Sequence, residues 1–244
     1  MEKDSANDAS FTLLLKLTFN ENVPMKKILA ASLIVISSSV IADMKPYIEG
    51  QIIYSSPDDA STNTYSGTLG VVTFTGVKFE NEYDSEISAG LEFGLRLNES
   101  SRIGLSYTKA DFEFESQTLS GSVTIDGITY NGSIPITRAD YGSDASSWDN
   151  DVKLYLANYY YDFNAGQTLR PFLGIGFGIA DIQNAKDKEF AYAGHAGAKY
   201  YFNDNAYIGG KFTYARVNGI TDGWGFDYED IDFYSGTLAV GFEF

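Results

Sequence analysis

The sequence predicts an all-β protein: an eight-stranded antiparallel up-and-down transmembrane β-barrel, preceded by a cleavable signal peptide. Three observations predict it. After residue 42, segments of about ten or more residues put a bulky apolar side chain at every second position, the period of a strand. The opposite faces of these segments carry glycine and charges of both signs. The connections between them alternate short and long, as in a chain of hairpins.

The N-terminus is read first. Met25-Lys26-Lys27 is a basic start, Ile28 to Ile41 is apolar apart from Ser and Ala, and Val40-Ile41-Ala42 fits a cleavage site. Residues 25–42 are therefore expected to be a signal peptide. The apolar run falls short of the roughly 20 residues a membrane-spanning helix needs, and no later segment is continuously apolar. An export signal normally begins at the initiating Met, so residues 1–24 are expected to be an over-extended N-terminus. Residues 1–42 hold four bases and four acids, so the expected barrel domain, 43–244, keeps 13 bases against 29 acids and the whole net charge of −16. That acidity excludes nucleic acid as a partner, because phosphate needs Lys and Arg to neutralise it. The chain has no Cys, which an envelope protein permits.

Strands are expected at about 45–55, 86–97, 102–115, 151–163, 170–182, 189–202, 206–217 and 231–244. In 86–97, Ile87, Ala89, Leu91, Phe93, Leu95 and Leu97 share one face, and Ser88, Gly90, Glu92, Gly94 and Arg96 the other. The last strand repeats the pattern, with Tyr234, Leu238, Val240, Phe242 and Phe244 opposite Ser235, Thr237, Ala239, Gly241 and Glu243. Strand 151–163 has an unsettled phase, because Leu154 and Leu156 point one way and Tyr159, Tyr161 and Phe163 the other; a bulge would reconcile them. The long connections are 56–85, 116–150 and 218–230. Asp126-Gly127, between Val123-Thr124-Ile125 and Ile128-Thr129-Tyr130, predicts a projecting hairpin with a type I′ turn. The alternation in Val71 to Phe79 suggests that the first two strands continue past the membrane. No helical periodicity follows residue 42.

Alternation alone does not say which face is inside. An eight-stranded barrel is narrow, so the faces with Gly90, Gly94, Gly104, Gly174, Gly176, Gly178, Gly197, Gly209 and Gly241 are placed inward. Leu91, Phe93, Leu105, Leu173, Ile175, Phe177, Ile208 and Phe212 then face lipid. The inward faces also carry Glu49, Glu92, Arg96, Arg102, His195, Lys199, Lys211 and Glu243, expected to form an enclosed polar network. Tyr159-Tyr160-Tyr161, Phe163, Tyr200-Tyr201-Phe202, Tyr47 and Phe244 are read as aromatic girdles at the membrane interfaces.

Asn158-Tyr159-Tyr160-Tyr161-Asp162-Phe163, a short turn, and Arg170-Pro171-Phe172-Leu173-Gly174-Ile175-Gly176-Phe177-Gly178 resemble the tyrosine-rich strand and glycine-alternating strand of the small outer-membrane barrels of the OmpA, OmpX/Ail and Opa type. Terminal Phe244, with Phe242 and Val240 behind it, is similar to the signal by which the outer-membrane assembly machinery recognises its clients. The resemblance covers about 43–244 and departs in loop length. It implies both termini in the periplasm, contact with outer-membrane lipid and lipopolysaccharide, and roles ranging from adhesin to structural protein to lipid enzyme. No peptidoglycan-binding domain is expected after Phe244.

Chemistry is sparse. His195, the one histidine, sits mid-strand where lipid has no access, so a luminal polar role is expected rather than catalysis. Asp58-Asp59, Asp144, Asp149, Asp151 and Asp227-Tyr228-Glu229-Asp230 lie in loops without EF-hand spacing, so solvated acidic loops are preferred to a calcium site. Gly174 to Gly178 alternates within a strand and opens no helix, which rejects a phosphate cradle. Trp224, Phe226 and Tyr228 either anchor a partner or sit at the membrane interface. The expected function is a non-enzymatic outer-membrane protein without cofactor or metal, structural or adhesin-like, meeting a host or surface ligand through its loops. A narrow ion-conducting pore ranks second, a lipid-modifying barrel enzyme third and a soluble carrier fourth.

Overall fold

The computed structural model describes residues 44–244; the signal segment 25–42 and the stretch 1–24 lie outside the described residues. Thirteen strands form in chain order. β1 (Lys45–Pro57), β5 (Glu86–Arg96), β6 (Ser101–Phe112), β9 (Asn150–Asp162), β10 (Leu169–Ile182), β11 (Glu189–Tyr201), β12 (Ala206–Val217) and β13 (Ile231–Glu243) close an antiparallel barrel in sequence order, with β1 pairing β13. The remaining strands, β2 (Ala60–Ser61), β3 (Tyr65–Leu69), β4 (Val72–Tyr83), β7 (Phe114–Ile125) and β8 (Ile128–Thr137), form a separate five-stranded sheet.

Closure satisfies every strand's backbone without an exposed edge, as hydrocarbon requires. Leu91, Phe93, Leu105, Leu173, Ile175, Phe177, Ile208 and Phe212 are all exposed on the outer wall. Glycine makes room within. A Cβ at Gly94 would collide with the Tyr47 ring, and one at Gly241 with the Tyr207 ring, so these two positions leave space for luminal tyrosines in a barrel too narrow for both.

Four sequence expectations are corrected. Strand β9 needs no bulge: its pairing with β6 and β10 runs unbroken, with Val152, Leu154, Leu156, Asn158, Tyr160 and Asp162 inward. The expected conflict arose from assuming that leucines face lipid, whereas one half of this lumen is apolar. Tyr47, Tyr160 and Tyr201, assigned to the girdles, are buried inside, at 2%, 0% and 5% exposure; each alternates with an outward neighbour such as Tyr159, Tyr161 or Tyr200. The girdle at the long-loop end consists instead of Tyr54, Tyr107, Tyr155, Tyr192, Tyr214 and Tyr234. Cross-strand pairs Tyr107↔Tyr155 and Tyr214↔Tyr234 show their common level.

The second and third barrel strands, rather than the first and second, continue outward, through β4 and β7, which pair along ten positions with two register shifts. Finally, a short helix α1 (Arg138–Tyr141) and a 3-10 helix (Gly142–Trp148) interrupt the connection from β8 to β9. The expected hairpin at Asp126-Gly127 is present, with positive φ at both residues, 50° and 75°, as a type I′ turn requires.

Candidate functional site: a divided lumen and its mouth

Half of the lumen, toward the short turns, is ionic. Arg96 donates to both Glu243 carboxylate oxygens, from Nε at 3.1 and 3.0 Å and from Nη2 to Oε1 at 2.7 Å. It also donates to Asp162 at 2.9 Å. Asp162 accepts in turn from Arg102 Nε at 3.2 Å, so one carboxylate joins two guanidinium groups. Arg102 lies over the Tyr160 ring, 3.8 Å from its centroid, and 3.5 Å from Glu92.

Glu92 accepts from the hydroxyls of Tyr47 at 2.6 Å and Tyr160 at 2.8 Å. Lys211 approaches it at 3.9 Å. Glu49 accepts from Tyr207 at 2.9 Å and Gln51 at 2.8 Å. Lys199 Nζ stands 3.1 Å from Glu49 but off hydrogen-bond geometry, so charge rather than a directed bond holds that pair, aided by the Tyr207 ring at 3.9 Å. Four carboxylates, Glu49, Glu92, Asp162 and Glu243, thus meet four cations, Arg96, Arg102, Lys199 and Lys211.

The structure brings seven of the eight sequence-selected luminal residues into direct ionic contact. His195 stands beside them, its Nδ1 2.9 Å from Thr213 Oγ1 and its Nε2 3.2 Å from Asn158 Oδ1. The one hydroxyl on the ring, Thr213, is buried within the lumen, and the second ring nitrogen meets the Asn158 amide rather than an orienting carboxylate. Sequence reading missed Asp162 and the tyrosines. The signal was available in the even positions of β9, where Asn158, Tyr160 and Asp162 alternate with Tyr159, Tyr161 and Phe163.

The other half of the lumen is apolar. Ala110, Phe112, Val152, Leu156, Ala180, Ile182, Ala191, Ala215, Val217 and Ile231 form one buried cluster. Phe112 and Phe233 meet at its outer end, their rings tilted by 33° with 5.9 Å between centroids. Above them opens a cavity of about 380 Å³ at the loop end of the barrel.

The raised sheet is anchored beside this mouth. Phe114, fully buried, packs against Tyr83, Tyr141 and Trp148 with centroids 5.6–6.2 Å apart. Asp149 accepts from Phe114 N at 2.9 Å and Arg138 Nη1 at 2.7 Å, while Arg138 also donates to Phe114 O. The Arg138 hydrogen bond holds the Asp149 carboxyl below its ordinary range. A carboxyl with a depressed folded-state pKa stabilises above its unfolded value, about 3.9, and that contribution disappears as pH falls through the folded value. Acidification below about pH 4 is expected to speed pepsin cleavage within 138–149, with Asp149→Asn showing no such acid-dependent step.

Phe226 packs edge-on against Tyr65 and Phe79, each 5.4 Å away, and Tyr228 accepts from Asn81 at 3.4 Å. Trp224 is 88% exposed. Of the three aromatic residues selected in this loop, two join the raised sheet to loop 218–230 and one is free of it. Val240, Phe242 and Phe244 share the outer wall at the end of the chain, with the last two rings 5.2 Å apart. Among the described residues, no group of three or more His, Asp or Glu side chains is placed to hold a metal.

No curated protein matches this chain in sequence. Among solved structures, the Neisserial surface protein NspA is similar over 82% of this chain and 97% of its own, with 14% identity and a TM-score of 0.48. The outer membrane protein OprG from Pseudomonas aeruginosa is similar over 82% and 95%, with 17% identity and a TM-score of 0.44. The attachment invasion locus protein Ail of Yersinia pestis, solved with the heparin analogue sucrose octasulfate, is similar over 82% and 99%, with 13% identity and a TM-score of 0.40. The family described as "Outer membrane protein beta-barrel domain" matches residues 28–244, and the chain therefore belongs to that family of bacterial outer-membrane barrels.

Proposed function

We propose that this barrel is a non-enzymatic scaffold, with both termini in the periplasm, that presents its raised sheet to an extracellular partner in an adhesin-like role. The observation that carries the reading is the sheet itself. In a chain of net charge −16, residues 116–137 hold one charged side chain, Asp126. Their surface exposes Ile125, Ile128, Tyr130 and Ile134. Among the described residues β8 pairs on one side only, with β7, leaving a strand edge able to add another strand. A rigid barrel holding such an element outside is a presentation device.

The rival pore reading is disfavoured by the burial of Glu92, Arg102, Tyr160 and Tyr207, all at 0–1% exposure across the lumen. An enzymatic reading is disfavoured because His195 and its Thr213 partner are buried in the lumen and an amide, Asn158, holds the ring where a carboxylate would orient it.

Replacing Gly121–Gly132 by a two-residue Asn-Gly turn leaves Ser120↔Ser133 to close the shortened hairpin. The variant is expected to keep heat-modifiable barrel mobility and to lose binding of whole cells to host cells or matrix. Full binding by a folded variant would remove the sheet from the account. We also infer that 25–42 is removed on export, leaving 43–244 as the barrel domain. Intact-mass measurement of protein extracted from outer membranes should then give a chain beginning at Asp43.

A further inference from the structure

The mouth cavity has a composition that selects a ligand. Its floor is Phe112, Val152, Ile182, Ile231 and Phe233, where the Phe112 and Phe233 rings, 5.9 Å apart, mark its boundary with the apolar lumen. Its walls are aromatic, supplied by Tyr83, Trp148, Trp224 and Tyr228. At about 380 Å³, it lies in the range of small-molecule sites, roughly 300–1,000 Å³.

The polar groups of the rim are already ordered. Asn184 donates to Asn150 at 3.1 Å, and Asn150 to Tyr83 at 2.7 Å. Gln117 donates to Asn81 at 2.7 Å. Two carboxylates, Asp58 and Asp222, line the opening, and no Lys, Arg or His does. Asp58 accepts only the Asp59 N–H among the described residues. Asp222 Oδ1 accepts from Trp224 N at 2.9 Å and Phe226 N at 2.8 Å, and among the described residues neither carboxylate forms an ion pair, although the chain pairs Asp149, Asp181 and Asp232 nearby.

We propose that this cavity binds a small apolar amine, with the hydrocarbon body on the floor and the ammonium among the aromatic walls and the two carboxylates. Burying a hydrocarbon cage on such a floor supplies affinity without direction. The sign of the rim supplies selectivity: an ammonium meets carboxylates and ring faces, both attractive to cations, whereas an anion of similar size meets two like charges and no cationic side chain. This inference is tested separately from the role of the raised sheet: Ala60, Asn81 and Tyr83 of that sheet line the cavity, but none of residues 121–132 does.

The chain provides its own reporter, since its two tryptophans, Trp148 and Trp224, both line the cavity. The full mature protein in phosphatidylcholine nanodiscs would be titrated with 1-adamantylamine and with the isosteric 1-adamantanecarboxylate, following tryptophan emission. Saturable binding of the amine, at least roughly tenfold tighter than the carboxylate, is expected. Asp58→Asn should narrow that ratio. Ala60→Phe, which fills the cavity from β2, should abolish amine binding. Ile220→Phe fills it from the loop and serves if the first variant does not show heat-modifiable folding. Equal or tighter binding of the carboxylate, no saturable amine response, or an unchanged amine response in a folded cavity-filling variant would each overturn the proposal.

Discussion

Replacing Arg96 with alanine is expected to destabilise the barrel by about 3–5 kcal/mol, more than most single changes elsewhere in the chain. Arg96 is 5% exposed and meets Glu243 and Asp162 simultaneously. Without it, Glu243 keeps only the Tyr201 hydroxyl and Lys199's more distant field, and a buried carboxylate without a counter-charge is costly. Asp162 retains Arg102, so the loss is concentrated on Glu243. The double variant Arg96→Ala with Glu243→Gln should therefore recover part of the stability. Urea unfolding in lipid vesicles, read as a double-mutant cycle, measures it. Additive losses would show that the two residues do not act as a pair.

Leu238→Arg is the second large effect. Leu238 is 71% exposed, stands on the outer wall midway between Tyr234 and Phe242, and pairs across the sheet with Ile52. An arginine at that depth should cost about 2–4 kcal/mol, whereas Tyr234→Arg at the loop-end girdle should cost about 0–1 kcal/mol. The same urea titration distinguishes the two. A Leu238→Arg protein as stable as Tyr234→Arg would mean that this wall does not face hydrocarbon, against the family and the exposed apolar belt alike.

The barrel was legible because period two, with glycine and ions on one face and bulky apolar groups on the other, has few other solutions in a chain of this length. Glu92 against Leu91 and Phe93 is enough to set a phase. Runs such as Tyr159-Tyr160-Tyr161 were less legible, since residue type does not separate a tyrosine that donates to Glu92 from one that faces headgroups. Leu154 and Leu156 misled for a related reason: the rule that leucine faces lipid fails where the lumen itself is apolar. The mouth cavity was not legible at all. Its lining comes from β1, β2, β4, β6, β9, β10, β13, the 3-10 helix and loop 218–230, brought together only by closure of the barrel and by pairing of β4 with β7.

The tilted Phe112 and Phe233 rings divide the interior into two storeys with different obligations. Below them, past a layer of apolar side chains, each ion answers to another, so single replacements there are penalised together. Above them, neutral hydrogen bonds and packed rings take the place of the ions. Variation can therefore re-carve the upper storey one residue at a time while the ionic foundation of the barrel stays untouched.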